Sequence, residues 1–78
     1  MRITIKEVKT FKENNYDRVF LIFERDGKTQ ERKLARVGKN IKAFDTLQKA
    51  TAGQAYDVKL EKSPNGNFWD WVDIEVAG

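Results

Sequence analysis

Residues 16–37 read YDRVFLIFERDGKTQERKLARV, and this stretch decides the fold class. Tyr16–Arg25 is dense in β-branched and aromatic side chains. Both of its parities are apolar in the middle, with Val19, Leu21 and Phe23 on one and Phe20 and Ile22 on the other. That is the pattern of a strand covered on two sides. Asp26-Gly27 follows as a two-residue hairpin signal, because both central positions of a type I′ turn require positive φ. Lys28–Val37 then returns as a highly charged partner strand.

Upstream, residues 2–11 carry Ile3 and Ile5 on one parity and Val8 on the other. A phase change of this kind predicts a bent or bulged first strand. Lys12-Glu13-Asn14-Asn15 reads as the loop into the second strand. Downstream, helical spacing occurs once: Ile41, Phe44 and Leu47 recur at three-residue intervals, with Ala43 and Ala50 beside them. Asn40 or Gly38 is placed to cap its start, and Gly53 to end it in a left-handed conformation. Two further strands are expected. Ala55–Lys62 puts Tyr56, Val58 and Leu60 on one side, and Phe68–Val76 puts Phe68, Val72, Ile74 and Val76 on one side, with Asp70 interrupting. Ser63-Pro64-Asn65-Gly66-Asn67 between them is a turn with Asn-Gly at its tip.

The order is β-β-β-α-β-β within one domain, residues 1–78, an all-β protein with one helix. This is the connectivity of a five-stranded OB-fold barrel, a small Greek-key barrel whose loops after strands one and four frame the binding face. An SH3-like barrel and an α+β sheet with a helix on one face are the alternatives.

Composition narrows the function. The chain has no Cys and no His. A disulfide scaffold, a thiolate zinc site, thiol catalysis and every Ser-His-Asp or Cys-His arrangement are therefore excluded. Phosphate-binding glycine loops are absent. Asp70 and Asp73 lie three apart on a strand and point to opposite faces, which argues against a Mg²⁺ site with Glu75. The expectation is a non-enzyme without metal or cofactor. Hydrophobic content of 40%, with 12% aromatic, is that of a folded chain. No apolar run approaches the ~20 residues of a membrane helix, and the N-terminus alternates immediately rather than forming a signal peptide. A cytoplasmic protein is expected, in the host cytoplasm if viral.

At this point the residues resemble a family. Gly53-x-x-Tyr56-x-Val58 opening strand four, the Asn65-Gly66 tip, and Phe68-Trp69-x-Trp71 opening strand five are similar to compact OB-fold single-stranded-DNA-binding proteins, in particular small phage-type versions. The resemblance extends over nearly the whole chain and lies in architecture and aromatics. Many such proteins carry a flexible acidic tail, whereas this sequence stops at Gly78 directly after its last strand. The resemblance implies sequence-independent binding of single-stranded DNA in replication or recombination, by base stacking and phosphate contacts.

The charge distribution is compatible with that role. Residues 28–42 hold six basic side chains against Glu31 alone, whereas residues 43–78 hold three basic against six acidic. A basic third strand suits a phosphate backbone tracking across a barrel, and equally suits a lysine-blunted sheet edge. Trp69 and Trp71 share a parity opposite to Val72, Ile74 and Val76, so both are expected to face outward as stacking platforms. A dimer interface and ordinary packing are the other readings of the pair. Asp70, Asp73 and Glu75 beside them repel phosphate, so the backbone would have to run toward strand three. If Val19, Leu21 and Phe23 form the core, Phe20 lies on the binding face beside Arg18; the inverse assignment stays open. Tyr56 and Phe44 belong to the core, Tyr16 is a weaker candidate for stacking, and Phe11 is undecided.

The expected nucleic-acid contacts are thus Arg18, Phe20, Trp69 and Trp71 on bases and Arg32, Lys33, Arg36 and Lys39 on phosphates, with Lys12 and Lys62 as loop contacts. RNA is not separable from DNA on these grounds, because stacking is blind to the sugar. A protein-interaction module of the same fold, a small inhibitor or a replication-complex subunit, is the rival reading. A homodimer is compatible with either, and no membrane contact is expected.

Overall fold

A computed structural model describes residues 1–64, 66 and 69–77. The chain forms five strands, β1 (Arg2–Glu13), β2 (Tyr16–Arg25), β3 (Lys28–Ala35), β4 (Ala55–Lys62) and β5 (Trp69–Val76). One helix, α1 (Ile41–Leu47), follows a 3-10 turn at Gly38–Asn40. The strands make one sheet in the order β3-β2-β1-β4-β5, every neighbouring pair antiparallel. Among the described residues no helix is long and apolar enough to cross a membrane.

Turn chemistry sets the two N-terminal hairpins. Asp26 and Gly27 both have positive φ (52° and 79°) and join Arg25 to Lys28, as a type I′ turn demands. Asn14 and Asn15 do the same (52° and 67°), joining Glu13 to Tyr16. The expected four-residue loop is therefore a two-residue turn, and β1 runs through Lys12 and Glu13. Asparagine tolerates the left-handed region because its short amide can bond locally.

The phase change in β1 is a bulge. Ile5 pairs with Phe23 and Glu7 with Ile22, leaving Lys6 without a partner. Ile3 and Ile5 before it are buried, and Val8 after it packs on the same core. β1 also serves both halves of the sheet, pairing with β4 through residues 2–4 and with β2 from Thr4 onward.

A second bulge, which parity counting did not anticipate, lies in β5. Lys59 pairs with Asp73 and Leu60 with Trp71, so Val72 is the extra residue. The alternation flips there. Ile74 is buried on one side of the bulge and Trp71 on the other, while Val76 is exposed and Val72 half-buried. The expected outward Trp71 is corrected by this: it points into the core at 3% exposure.

One core gathers residues from all five strands and the helix, among them Ile5, Leu21, Leu34, Phe44, Val58 and Trp71. Tyr56 and Phe44 are buried as expected. The sheet must curl to achieve this. β2 and β5 stand three strands apart, about 14 Å in a flat sheet, yet the Phe23 and Trp71 rings meet edge-on at 5.3 Å. The edge strands β3 and β5 also approach, and the Arg32 guanidinium Nη2 donates to the Trp69 carbonyl at 3.1 Å. No hydrogen-bonded ladder joins these two edges among the described residues, so the sheet is rolled without being closed.

The helix packs mainly against β5, presenting Ala43, Phe44 and Leu47. It ends at Leu47. Gly53 (φ 90°) instead shapes the turn into β4, where its N–H donates to the Ile5 carbonyl at 2.7 Å.

Candidate nucleic-acid interface

The β1-β2-β3 half of the sheet has one buried and one open face. Val19, Leu21 and Phe23 point inward, at 0–3% exposure. The opposite parity of β2 therefore faces out, and the register fixes its neighbours. Phe20 lies between Lys9 of β1 and Lys33 of β3; Arg18 lies between Phe11 and Ala35; Ile22 lies between Glu7 and Glu31. Tyr16, opposite Glu13, closes the row at the hairpin end. Three aromatics, Phe11, Tyr16 and Phe20, thus share an outer face with Lys9, Arg18 and Lys33. Phe11 and Tyr16 are 38% and 46% exposed, and Phe20 is half-buried.

Phe11, undecided in the sequence, and Lys9, not singled out there, both join this face, and the signal for each was present. Once Asn14-Asn15 is taken as a two-residue turn, the hairpin register places Phe11 across from Arg18 and Lys9 across from Phe20.

Carboxylates temper this face. Glu13 Oε1 lies 3.5 Å from both the Lys33 Nζ and the Arg18 Nε, and Arg18 also donates to the Glu13 carbonyl. Lys9 pairs with Glu7 at 3.3 Å.

The basic run of residues 28–42 does not form one stripe in space. Lys33 faces out, whereas Arg32 has the inward parity of Leu34. Arg36 and Lys39 lie past the end of β3 and belong to neither surface. Arg36 makes a bidentate pair with Asp45 at 2.8 and 3.2 Å, which holds that carboxyl below the usual carboxylate range. Lys39 bonds Glu61 at 2.5 Å and lowers that carboxyl in the same way. Lys42 pairs with Asp73 at 3.5 Å. The +5 seen along the chain is largely matched by carboxylates folded onto it from elsewhere.

The tryptophans serve the seam between β3 and β5. Trp69, at the end of its strand and 53% exposed, stands at the rim of a cleft of about 320 Å³ whose walls include Phe23, Arg32 and Trp71. The Arg32 guanidinium sits over the Trp71 ring, 4.9 Å from its centroid. Burial pushes the Arg32 pKa down, with Asp70 acting the other way. Phe68 and Asn65, also singled out in the sequence, lie outside the described residues. Lys12, near the β1–β2 turn, and Lys62, at the end of β4, are both exposed.

The structure thus brings Arg18, Phe20 and Lys33 together on one face, and Arg32, Trp69 and Trp71 around one cleft. Comparison with protein-family models, curated proteins and solved structures returns no match.

Proposed function

We propose that this chain is a non-catalytic OB-type barrel that binds single-stranded DNA with little sequence preference, coating it during replication or recombination. The observation that carries the reading is the outer face of β1-β2-β3, where Phe11, Tyr16 and Phe20 alternate with Lys9, Arg18 and Lys33 across three strands. Flat side chains offer stacking surfaces to successive bases, and the interleaved cations meet the phosphates between them. The strand order and the approach of β3 to β5, bridged by the Arg32 side chain, support the OB-type reading. Trp71, being buried, stacks no base in this scheme; it supports Arg32.

The test is a titration of labelled oligo-dT and oligo-U at two salt concentrations, read by anisotropy. Three phosphate contacts, from Lys9, Arg18 and Lys33, give a log–log salt slope of about −2, at roughly 0.7 per contact on a single strand. Phe20→Ala weakens binding by about 1–3 kcal/mol, the stacking value for one base. Absence of binding at low salt sinks the proposal. Equal affinity for both oligomers extends it to RNA.

One observation favours a protein partner instead. Glu7 and Glu31 flank Ile22 on the same face, and carboxylates around an apolar centre suit a protein surface better than a phosphate chain. A partner protein that competes with oligo-dT for this face would reconcile the two.

A further inference from the structure

The cleft at the β3–β5 seam is small, about 320 Å³, at the lower end for a small-molecule site. Its chemistry is unusual for so small a space. The Arg32 side chain enters it half-buried, over one tryptophan and hydrogen-bonded to the backbone of another. Its Nε is buried and has no hydrogen-bond partner, and no carboxylate stands at ion-pair distance from Arg32 among the described residues. In the same basic run Lys33, Arg36, Lys39 and Lys42 each have one. One Nη2 hydrogen goes to the Trp69 carbonyl, which leaves the outer edge of the guanidinium able to donate in parallel.

Resting on the single-strand reading, the geometry points to this cleft as a pocket for one guanine base of the bound strand, with its O6/N7 edge on Arg32 and a ring face on Trp69. A donor-only guanidinium requires two acceptors side by side. Guanine supplies them at O6 and N7, whereas adenine, a purine of the same ring size, places an amino donor beside N7 and meets Arg32 with a mismatch. Unpaired cytosine has adjacent acceptors too, but offers Trp69 a smaller ring. The general face of Phe11, Tyr16 and Phe20 then holds any strand, and the cleft sets its register at a guanine.

The experiment compares fluorescein-labelled dT12 with the same dodecamer carrying a single central dG, dA or 7-deaza-dG, by anisotropy on the full chain. The dG oligomer is expected to bind about tenfold tighter than the dA oligomer, as a bidentate arginine–guanine contact gives. Removing N7 in 7-deaza-dG erases most of that gain, an arm that needs no altered protein. Arg32→Met, which keeps a long apolar stem beside Trp71 but has no donor, removes the dG–dA difference while binding of dT12 persists. Equal affinities for dG and dA, or a dG preference that survives Arg32→Met, overturns the assignment and leaves the single-strand reading standing. No binding of any oligomer at low salt ends both.

Discussion

Two tryptophans two residues apart should differ sharply when removed. Trp71 is 3% exposed, meets Phe23 edge-on at 5.3 Å and carries Arg32 over its ring, whereas Trp69 is 53% exposed at a strand end. Truncating a fully packed aromatic to alanine costs about 3–5 kcal/mol, through lost transfer free energy and the cavity left behind. A chain of this length has roughly 4–12 kcal/mol in total, at 0.05–0.15 kcal/mol per residue. Trp71→Ala therefore takes about a quarter of the stability or more, and unfolds the protein outright if it lies at the low end. Trp71→Phe keeps a ring on Phe23 and should cost less, about 1–2 kcal/mol. Trp69→Ala, away from the core, should stay within about 0.5 kcal/mol. Urea denaturation followed by circular dichroism measures all three. With a slope near 1 kcal/mol/M for so small a domain, Trp71→Phe moves the midpoint down by about 1–2 M and Trp69→Ala by less than about 0.5 M. Emission gives a second reading, because the protein left with only Trp71 should emit at shorter wavelength than the one left with only Trp69. Equal losses for Trp69→Ala and Trp71→Ala would refute the burial of Trp71 in the core, since only packing against Phe23 and Arg32 separates it from the exposed Trp69 at the strand end.

Three further outcomes follow from named contacts. Asp45 titrates below its ordinary value because Arg36 bonds it, so the stability it contributes is present above the unfolded carboxylate pKa of about 4 and is lost as pH falls through the lower folded value; the deficit of Asp45→Asn at pH 7 should shrink toward zero in acid, and a deficit independent of pH would contradict the pair. Replacing Asn14-Asn15 by Ala-Ala forces alanine to φ 52° and 67°, at about 1–2 kcal/mol per residue; thermal melts should show a drop of several degrees that Gly-Gly does not, and a tolerated Ala-Ala would mean the turn is not type I′. Glu13→Gln releases Arg18 and Lys33, each 3.5 Å from its carboxylate, and should tighten oligo-dT binding and steepen its salt slope; unchanged affinity would remove these two cations from the interface.

The sequence disclosed the strand count, the helix, the Asp26-Gly27 turn and the inward set Val19, Leu21 and Phe23, because each is a local pattern. In β1 the clash between Ile3/Ile5 and Val8 was itself the mark of a bulge, and Lys6 is that bulge. The same kind of clash stood in β5, with Trp71 on one parity and Ile74 on the other. Treating it as a choice of faces rather than as a second bulge sent Trp71 outward. A parity conflict between large apolar residues is better resolved by an extra residue, since burying both gains more than the one ladder position costs. The length of β1, and with it Phe11 and Lys9, depended on whether Asn14-Asn15 was a turn or part of a loop.

Charge was the least legible property, for a physical reason. Segmental sums count neighbours in sequence, while the fields that a ligand meets come from neighbours in space. Arg36 and Asp45 are 9 residues apart, Lys33 and Glu13 are 20, and Lys39 and Glu61 are 22. Each exposed pair adds little stability, about 0–1 kcal/mol, so the fold alone gives little reason for so many. Their larger effect is on the surface potential. Lys33, Arg36, Lys39 and Lys42 each meet a carboxylate, whereas among the described residues Arg32, half-buried at the β3–β5 seam, has none at ion-pair distance. In the proposed reading, this segment offers a strand one selective contact at Arg32 rather than a general phosphate track, beside a face whose cations the strand must win from Glu13 and Glu7. On that proposal, binding should be weaker at physiological salt than the +5 run suggests, and more dependent on what the bases present.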